Sequence, residues 1–307
     1  MSVHSLTMPR TIAIMLLITR VATAQDIQLA VEPRVIGPGV ISTPAEEFKA
    51  TVSPDGLTLL YVLTDHQFRH MTIVESHRAS ASAEWRTPEV AAFSGFYRDG
   101  DPAFAPDGKS VLFISNRGGH GVFEIWSVPR HADGTWGTPS FLLGDTTYMF
   151  APSLTTSGVL YFAKGDSIYR LAPHGKPEAL PFTGGDPAIM ADESAIVFDN
   201  DGDLYASCRT SSGWGTPRKF GPPVDSPDEE GDPWISADGR TMYFYSKRSK
   251  PAPDRTQRPR RPTYAEVLSE VTSDIYNGTR NLYSVGLPEK NDRSYYCAHD
   301  DKGRNNP

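Results

Sequence analysis

Three aspartates stand out by type and setting. Asp101, Asp186 and Asp232 each follow a glycine and precede a proline, in DGDPAF (99–104), GGDPAI (184–189) and EGDPWI (230–235). Carboxylates that converge can ligate Ca2+, a hard cation taking several oxygens, or bind a cationic ligand. By like-charge repulsion they can also raise one another's pKa until one serves as a general acid. The competing reading is turn chemistry, in which each Asp accepts backbone N–H bonds and fixes the strand's start. Arg117, in the Gly-rich stretch SNRGGHG (115–121), could bind a ligand carboxylate or pair with a neighbouring acid. A phosphate cradle is excluded there, because such loops open a helix and here a strand-like run follows. Glu46, Glu47, Glu229 and Glu230 lie near the aspartates in sequence.

Other constellations are weaker. His66, His70 and His77 are spaced H-x3-H-x6-H. The first two would share a helix face and hold zinc, but the region reads as strand, loop and strand. No G-x-S-x-G, P-loop or C-x2-C pair occurs, so nucleophilic triads, nucleotide cradles and zinc knuckles have no motif to stand on.

The elements that must position these groups recur. Aligned on the turn, the chain reads EEFKATVSPDGLTLLYVLT (46–64), DGDPAFAPDGKSVLFISNR (99–117), YMFAPSLTTSGVLYFAKGD (148–166), GGDPAIMADESAIVFDNDG (184–202) and EGDPWISADGRTMYFYSKR (230–248). The turn glycines are Gly56, Gly108, Gly158 and Gly239, with Ser194 taking the place in the fourth copy. The spacing is that of a four-stranded propeller blade, about 40–50 residues. Pro-Asp-Gly at 54–56 and 106–108 is therefore a hairpin turn, with Gly at positive φ. A third strand follows each hairpin, as in FEIWSVPR (123–130) and RNLYSVGL (280–287). A fourth begins at Trp85, Trp136 or Trp214 in a Trp-x-x-Pro pattern, where Pro suits a sheet edge. Tyr61, Phe113, Tyr161, Phe198 and Phe244 recur at one place in the second strand and are assigned to packing between blades.

The pattern SPDG-x-x-L-x-F-x-S-x-R with a following DIY-like strand resembles the WD-repeat-like blades of TolB-type β-propeller proteins. The resemblance spans residues 28–287. It implies a propeller and, for function, a binding scaffold of the bacterial envelope, some relatives being joined to enzymes. Copies three and four lack the Asp-Gly turn, and copy five carries a long insert.

The expected fold is all-β, a five-bladed propeller of four-stranded antiparallel blades; a sixth blade would have to be degenerate. The fifth copy runs out after RNLYSVGL without its Trp-x-x-Pro strand, so residues 28–36 are expected to supply the outer strand of the last blade. The insert at 247–280 opens with seven Lys or Arg and four Pro in residues 247–262, a composition that cannot form a packed core. Thr263 and Glu266 make a capping box, which predicts a short helix over about 262–272. The propeller is taken as 25–288 and the polar tail as 289–307.

Arg10, the apolar run 11–18 and Ala22-Thr23-Ala24 have the layout of a secretory leader cleaved after residue 24, which places the mature chain in the periplasm or outside the cell. The run is too short to span a bilayer. A net charge of −7 argues against nucleic acid as a partner, since phosphate neutralisation needs excess Lys and Arg. Cys208 and Cys297 allow one disulfide, which an export compartment would permit; the favoured reading is two unpaired thiols.

The functional expectation is an exported, monomeric binding module. One mouth of its channel, ringed by Asp101, Asp186 and Asp232, would engage a protein, peptide, carbohydrate or small ligand, with Ca2+ as the candidate cofactor. The rival is a propeller-based carbohydrate-active enzyme, a polysaccharide lyase or glycoside hydrolase drawing its acids from that ring.

Overall fold

The computed structural model describes residues 26–251, 256 and 258–288. In chain order, β1 is Arg34–Val35. The first blade is β2 (Glu46–Val52), β3 (Thr58–Thr64), β4 (Thr72–His77) and β5 (Glu89–Val90); the second is β6 (Asp99–Phe104), β7 (Ser110–Ser115), β8 (Glu124–Pro129) and β9 (Ser140–Leu143). The third is β10 (Phe150–Leu154), β11 (Leu160–Lys164), β12 (Ser167–Leu171) and β13 (Glu178–Thr183). The fourth comprises β14 (Gly185–Ile189), β15 (Ala195–Asn200), β16 (Asp203–Thr210), β17 (Gly213–Trp214) and β18 (Arg218–Lys219), the last two both pairing with β16. β19 (Glu230–Ile235) and β20 (Thr241–Ser246) open the fifth. Helix α1 (Tyr264–Ser273) then intervenes before β21 (Asn281–Gly286).

All strand pairs within the blades are antiparallel. The innermost strands β2, β6, β10, β14 and β19 neighbour one another in a closed ring. β2, β6 and β19 are buried along their whole length, because flanking blades cover both their faces. The recurrent aromatics Tyr61, Phe113, Tyr161, Phe198 and Phe244 are all buried. Their side chains fill the wedge between consecutive blades, as their period implies.

The ring closes with the N-terminal segment. β1 pairs antiparallel with β21, Arg34 opposite Ser284 and Val35 opposite Tyr283, completing the fifth blade. Upstream, Ile27 forms a parallel bridge to Phe220 on the fourth blade, so the segment crosses two blades rather than one. The first and last strands thus meet in one sheet, which leaves no gap between first and last blades.

Three expectations need correction or placing. The left-handed turn residue of the fourth hairpin is Glu193, with φ 60°, not Ser194. Its carboxylate accepts from Tyr161 Oη and Arg170 Nε, both at 2.6 Å, which holds a non-glycine residue in that conformation. Cys208 is disulfide-bonded, so the expectation of unpaired thiols fails there. Cys297, the tail 289–307 and the leader 1–24 lie outside the described residues. Helix α1 has the expected capping box of Thr263 and Glu266. Among the described residues no helix is long and apolar enough to cross a membrane.

Candidate functional site

Every innermost strand carries a β-bulge at the same point. The register shifts between Phe48 and Thr51, Gly100 and Ala103, Phe150 and Ser153, Gly185 and Ala188, and Gly231 and Trp234. Within each shift one non-glycine residue has positive φ, between 44° and 53°: Lys49, Asp101, Ala151, Asp186 and Asp232. A bulge re-aims a side chain out of the sheet's alternation. Left-handed backbone at a non-glycine costs about 1–3 kcal/mol and persists only where surroundings enforce it. The three aspartates singled out by sequence are therefore three of five equivalent bulge residues. They stand inside the innermost strands rather than ahead of them.

The fourth member changes the electrostatics. Lys49 is 1% exposed, and its Nζ lies 3.4 Å from Asp186 Oδ1 and 3.9 Å from Asp232 Oδ1. Burial opposes its charge, yet the carboxylates of Asp186, Asp232, Asp101 and Asp199 hold its pKa above the ordinary lysine value. The fifth member, Ala151, donates its backbone N–H to Asp101 Oδ2 at 2.8 Å. That bond ties the second blade to the third and uses the N–H that the bulge frees from the ladder.

Asp199, which sequence reading missed, completes the floor. It sits on β15 opposite Gly185, where the equivalent second-strand residues are Val62, Ile114, Ala163 and Tyr245. One acid in an otherwise apolar or aromatic column was the signal available in the aligned copies. Its carboxylate fits because Gly185 and Gly231 lack side chains: a Cβ on either would come within 2.8 Å of an Asp199 oxygen. Burial, then the Asp186 charge, pushes Asp199 up to about 8 despite the opposing pull of Lys49. The same causes push Asp101 up to about 6 and Asp232 well above the usual carboxylate range.

Above this floor opens a pocket of about 530 Å3 lined by Asp101, Asp186, Asp199 and Asp232 below and by aromatic rings around. Phe48 meets Phe68 edge-on at 5.6 Å; Phe123, Tyr148 and Phe150 form a second group with centroids 5.6–6.0 Å apart. Arg98 stacks over Phe123 at 4.9 Å and donates to the Phe68 carbonyl. Arg280 lies over Phe68 and Tyr245, at 5.0 and 4.9 Å, and pairs with Glu46 and Glu229. Phe68, Arg98, Phe123, Tyr148 and Arg280 all come from connections at one mouth of the channel, the mouth from which the 247–280 insert also leaves.

Arg117 takes a different place. Its Nη2 is 2.8 Å from Asp99 Oδ1, and Ser115 Oγ also donates to that oxygen. Arg248 and Ser246 address Glu230 in the fifth blade in the same way. The S-x-R pattern of the repeat is thus an acid–arginine clasp inside a blade, and Arg117 does not line the pocket. The first blade has the equivalent acid, Glu47, but Asp65 where the arginine would stand. Glu47 instead accepts from the Thr43 backbone N–H at 3.1 Å and from its hydroxyl, and burial pushes it up to about 7.

This predicts a pH effect. A raised carboxyl pKa means the native state keeps a proton that the unfolded chain releases near pH 4.5. The stability it carries is full below that pH and is lost as pH rises through 7. At about 1.4 kcal/mol per unit the loss is roughly 3 kcal/mol. Glu47→Gln should remove this component, so denaturant unfolding of the variant between pH 5 and 9 should show a flatter decline than the parent. Parallel curves would contradict the assignment.

The histidines do not gather. His66 Nδ1 pairs with Glu46 Oε1 at 2.5 Å, and His77 lies beside Thr58 and Glu75. Among the described residues, the group that brings three potential metal-ligating atoms within 4.8 Å of one another is Glu75, His77 and Glu89. Glu75 Oε2 also accepts from Trp136 Nε1 at 3.0 Å.

Comparison with known proteins adds likeness of fold. No family model matches the chain, and no curated protein does. Among solved structures it is similar to a putative TolB from Agrobacterium tumefaciens, 17% identical over 80% of this chain and 92% of that one, with TM-score 0.44. A gluconolactonase from Xanthomonas campestris is 14% identical over 71% of this chain and 80% of its own, with TM-score 0.47. A puromycin-hydrolysing peptidase from Mycobacterium tuberculosis is 19% identical over 65% of this chain, with TM-score 0.38. The chain spans 33% of that peptidase's length.

Proposed function

We propose that this protein is an exported binding module that takes a small ligand into the pocket at one mouth of its channel. The observation that supports this reading most is the convergence of aspartates from three blades, with Lys49 from a fourth, beneath a collar of rings. A concave, largely apolar space with a few convergent polar groups is the usual form of a ligand site, about 300–1,000 Å3. Exposed aromatics Phe96, Tyr97 and Tyr148 stand on the β5–β6 and β9–β10 connections, at the same mouth, and offer further contact to a ligand larger than the pocket.

Ligand-observed NMR with a general fragment library tests the reading. Hits should compete for one site and weaken at least tenfold in the double variant Phe68→Ala, Tyr148→Ala, whose rings are only partly buried and so tolerate removal. Hits indifferent to both substitutions would refute it.

A specific observation favours the second reading, a glycoside hydrolase or lyase. Asp101, pushed up to about 6 with Asp186 as its charged neighbour, has the protonation a general acid needs. Arg98, Arg280 and Asp199 add polar groups that do not follow the repeat. Turnover of aryl glycosides that falls a hundredfold or more in Asp101→Asn would establish it in place of simple binding.

A further inference from the structure

We propose that the pocket recognises an organic ammonium group, seated on the Asp232 carboxylate and enclosed by the aromatic collar. This rests on the pocket being the binding site and specifies the ligand's chemistry.

Asp232 is 7% exposed and lines the pocket, yet among the described residues its carboxylate accepts no hydrogen bond. Its charge neighbour, the Lys49 ammonium, lies 3.9 Å from Oδ1, beyond hydrogen-bond reach. A buried carboxylate in that state is costly unless a further donor arrives. Asp101 is in a similar position, since Oδ2 receives the Ala151 N–H and Oδ1 accepts no hydrogen bond among the described residues. The floor therefore has acceptors to spare and donors in deficit: four aspartates face one lysine, whose Nζ donates to Asp186 and stands 3.9 Å from Asp232.

The walls are a second, independent indication. Phe48, Phe68, Phe123, Tyr148, Phe150 and Tyr245 surround the cavity. Their faces already attract cations, for Arg98 and Arg280 lie within 5.0 Å of three of these rings. Ring faces attract cations through their quadrupole, more strongly where water is excluded. A bare metal ion would gain nothing from them, while an alkyl- or arylammonium satisfies both layers: its N–H or N–CH3 groups meet the carboxylates and its carbon frame meets the rings. Arg98 and Arg280 are held at the rim by the Phe68 carbonyl and by Glu46 and Glu229, and so leave the floor open.

Isothermal titration at pH 8 with benzylammonium, choline and putrescine, alongside calcium chloride and xylose, tests the assignment. At least one ammonium should bind with 1:1 stoichiometry. Asp232→Asn should weaken it tenfold or more, and Phe68→Ala should weaken it independently while leaving every carboxylate in place. A melting curve for each variant confirms that it is folded. Binding of calcium or xylose alone, abolished by Phe68→Ala, would overturn the ammonium assignment and keep the pocket as the binding site. Ammonium binding unchanged in Asp232→Asn would overturn the assignment as well. If no probe binds, both the assignment and the binding-module reading fall.

Discussion

Lys49→Met should cost about 3–5 kcal/mol of folding stability at pH 8, the usual penalty for removing one partner of a buried ion pair. Methionine fills nearly the same volume, so the loss comes from charge rather than from a cavity. Without the ammonium, the buried carboxyls of Asp186, Asp232, Asp101 and Asp199 face one another with no cation among them. The sign with pH follows from the raised carboxyl pKa values. As pH falls through about 8 and then 6, Asp199 and Asp101 take up protons, and by pH 5 these aspartates are neutral and no longer need the cation, so the cost shrinks. Urea unfolding at pH 5 and pH 8 should therefore show a large difference between parent and variant at the higher pH and a small one at the lower. An equal difference at both would mean that Lys49 contributes by packing alone.

Removing the N-terminal segment should be worse. A chain beginning at Glu46 lacks Ile27, Leu29, Ile36 and Ile41, which are 1, 6, 6 and 0% exposed. Burying such side chains contributes about 1.5–3 kcal/mol each, so the segment supplies about 6–12 kcal/mol of a total stability typically about 5–15 kcal/mol. Deletion also uncovers the outer edge of β21, an invitation to association between chains. The truncated protein should show no cooperative thermal transition and should aggregate. A peptide of residues 26–45 added in trans should restore part of the transition. A truncated chain melting within a few degrees of the parent would show that β1 is an ornament on the fifth blade, not its closure.

The fold was legible because propeller blades repeat their own sequence. Hairpin glycines, aromatic second strands and Trp-x-x-Pro edges recur together, and the missing fourth strand of the last copy pointed to residues 28–36. What stayed hidden were the departures from the repeat. Lys49 occupies the place of Asp101, Asp186 and Asp232 in a copy without Asp-Pro, so a search for like residues passed over it. Asp199 interrupts a column otherwise apolar or aromatic, and only alignment across blades exposes it. Arg117 followed the opposite logic: it recurs as Arg248, and recurrence in step with the blades marks a part of the scaffold. The pocket's rings come from connections of different length and sequence, whose meeting depends on closure of the ring and leaves no periodic trace. The fourth turn misled because Glu193 holds a left-handed backbone through Tyr161 and Arg170, contacts between strands that a local reading of Ser194 could not supply.

The central claim, that the bulge residues and the aromatic collar form one ligand site, is tested most directly by crystallography. Crystals soaked separately with an ammonium, with xylose and with calcium should show at least one of these in the pocket, within hydrogen-bond or coordination distance of Asp101, Asp186, Asp199 or Asp232. Probes found only elsewhere on the molecule, with none in the pocket beside these aspartates, would contradict it.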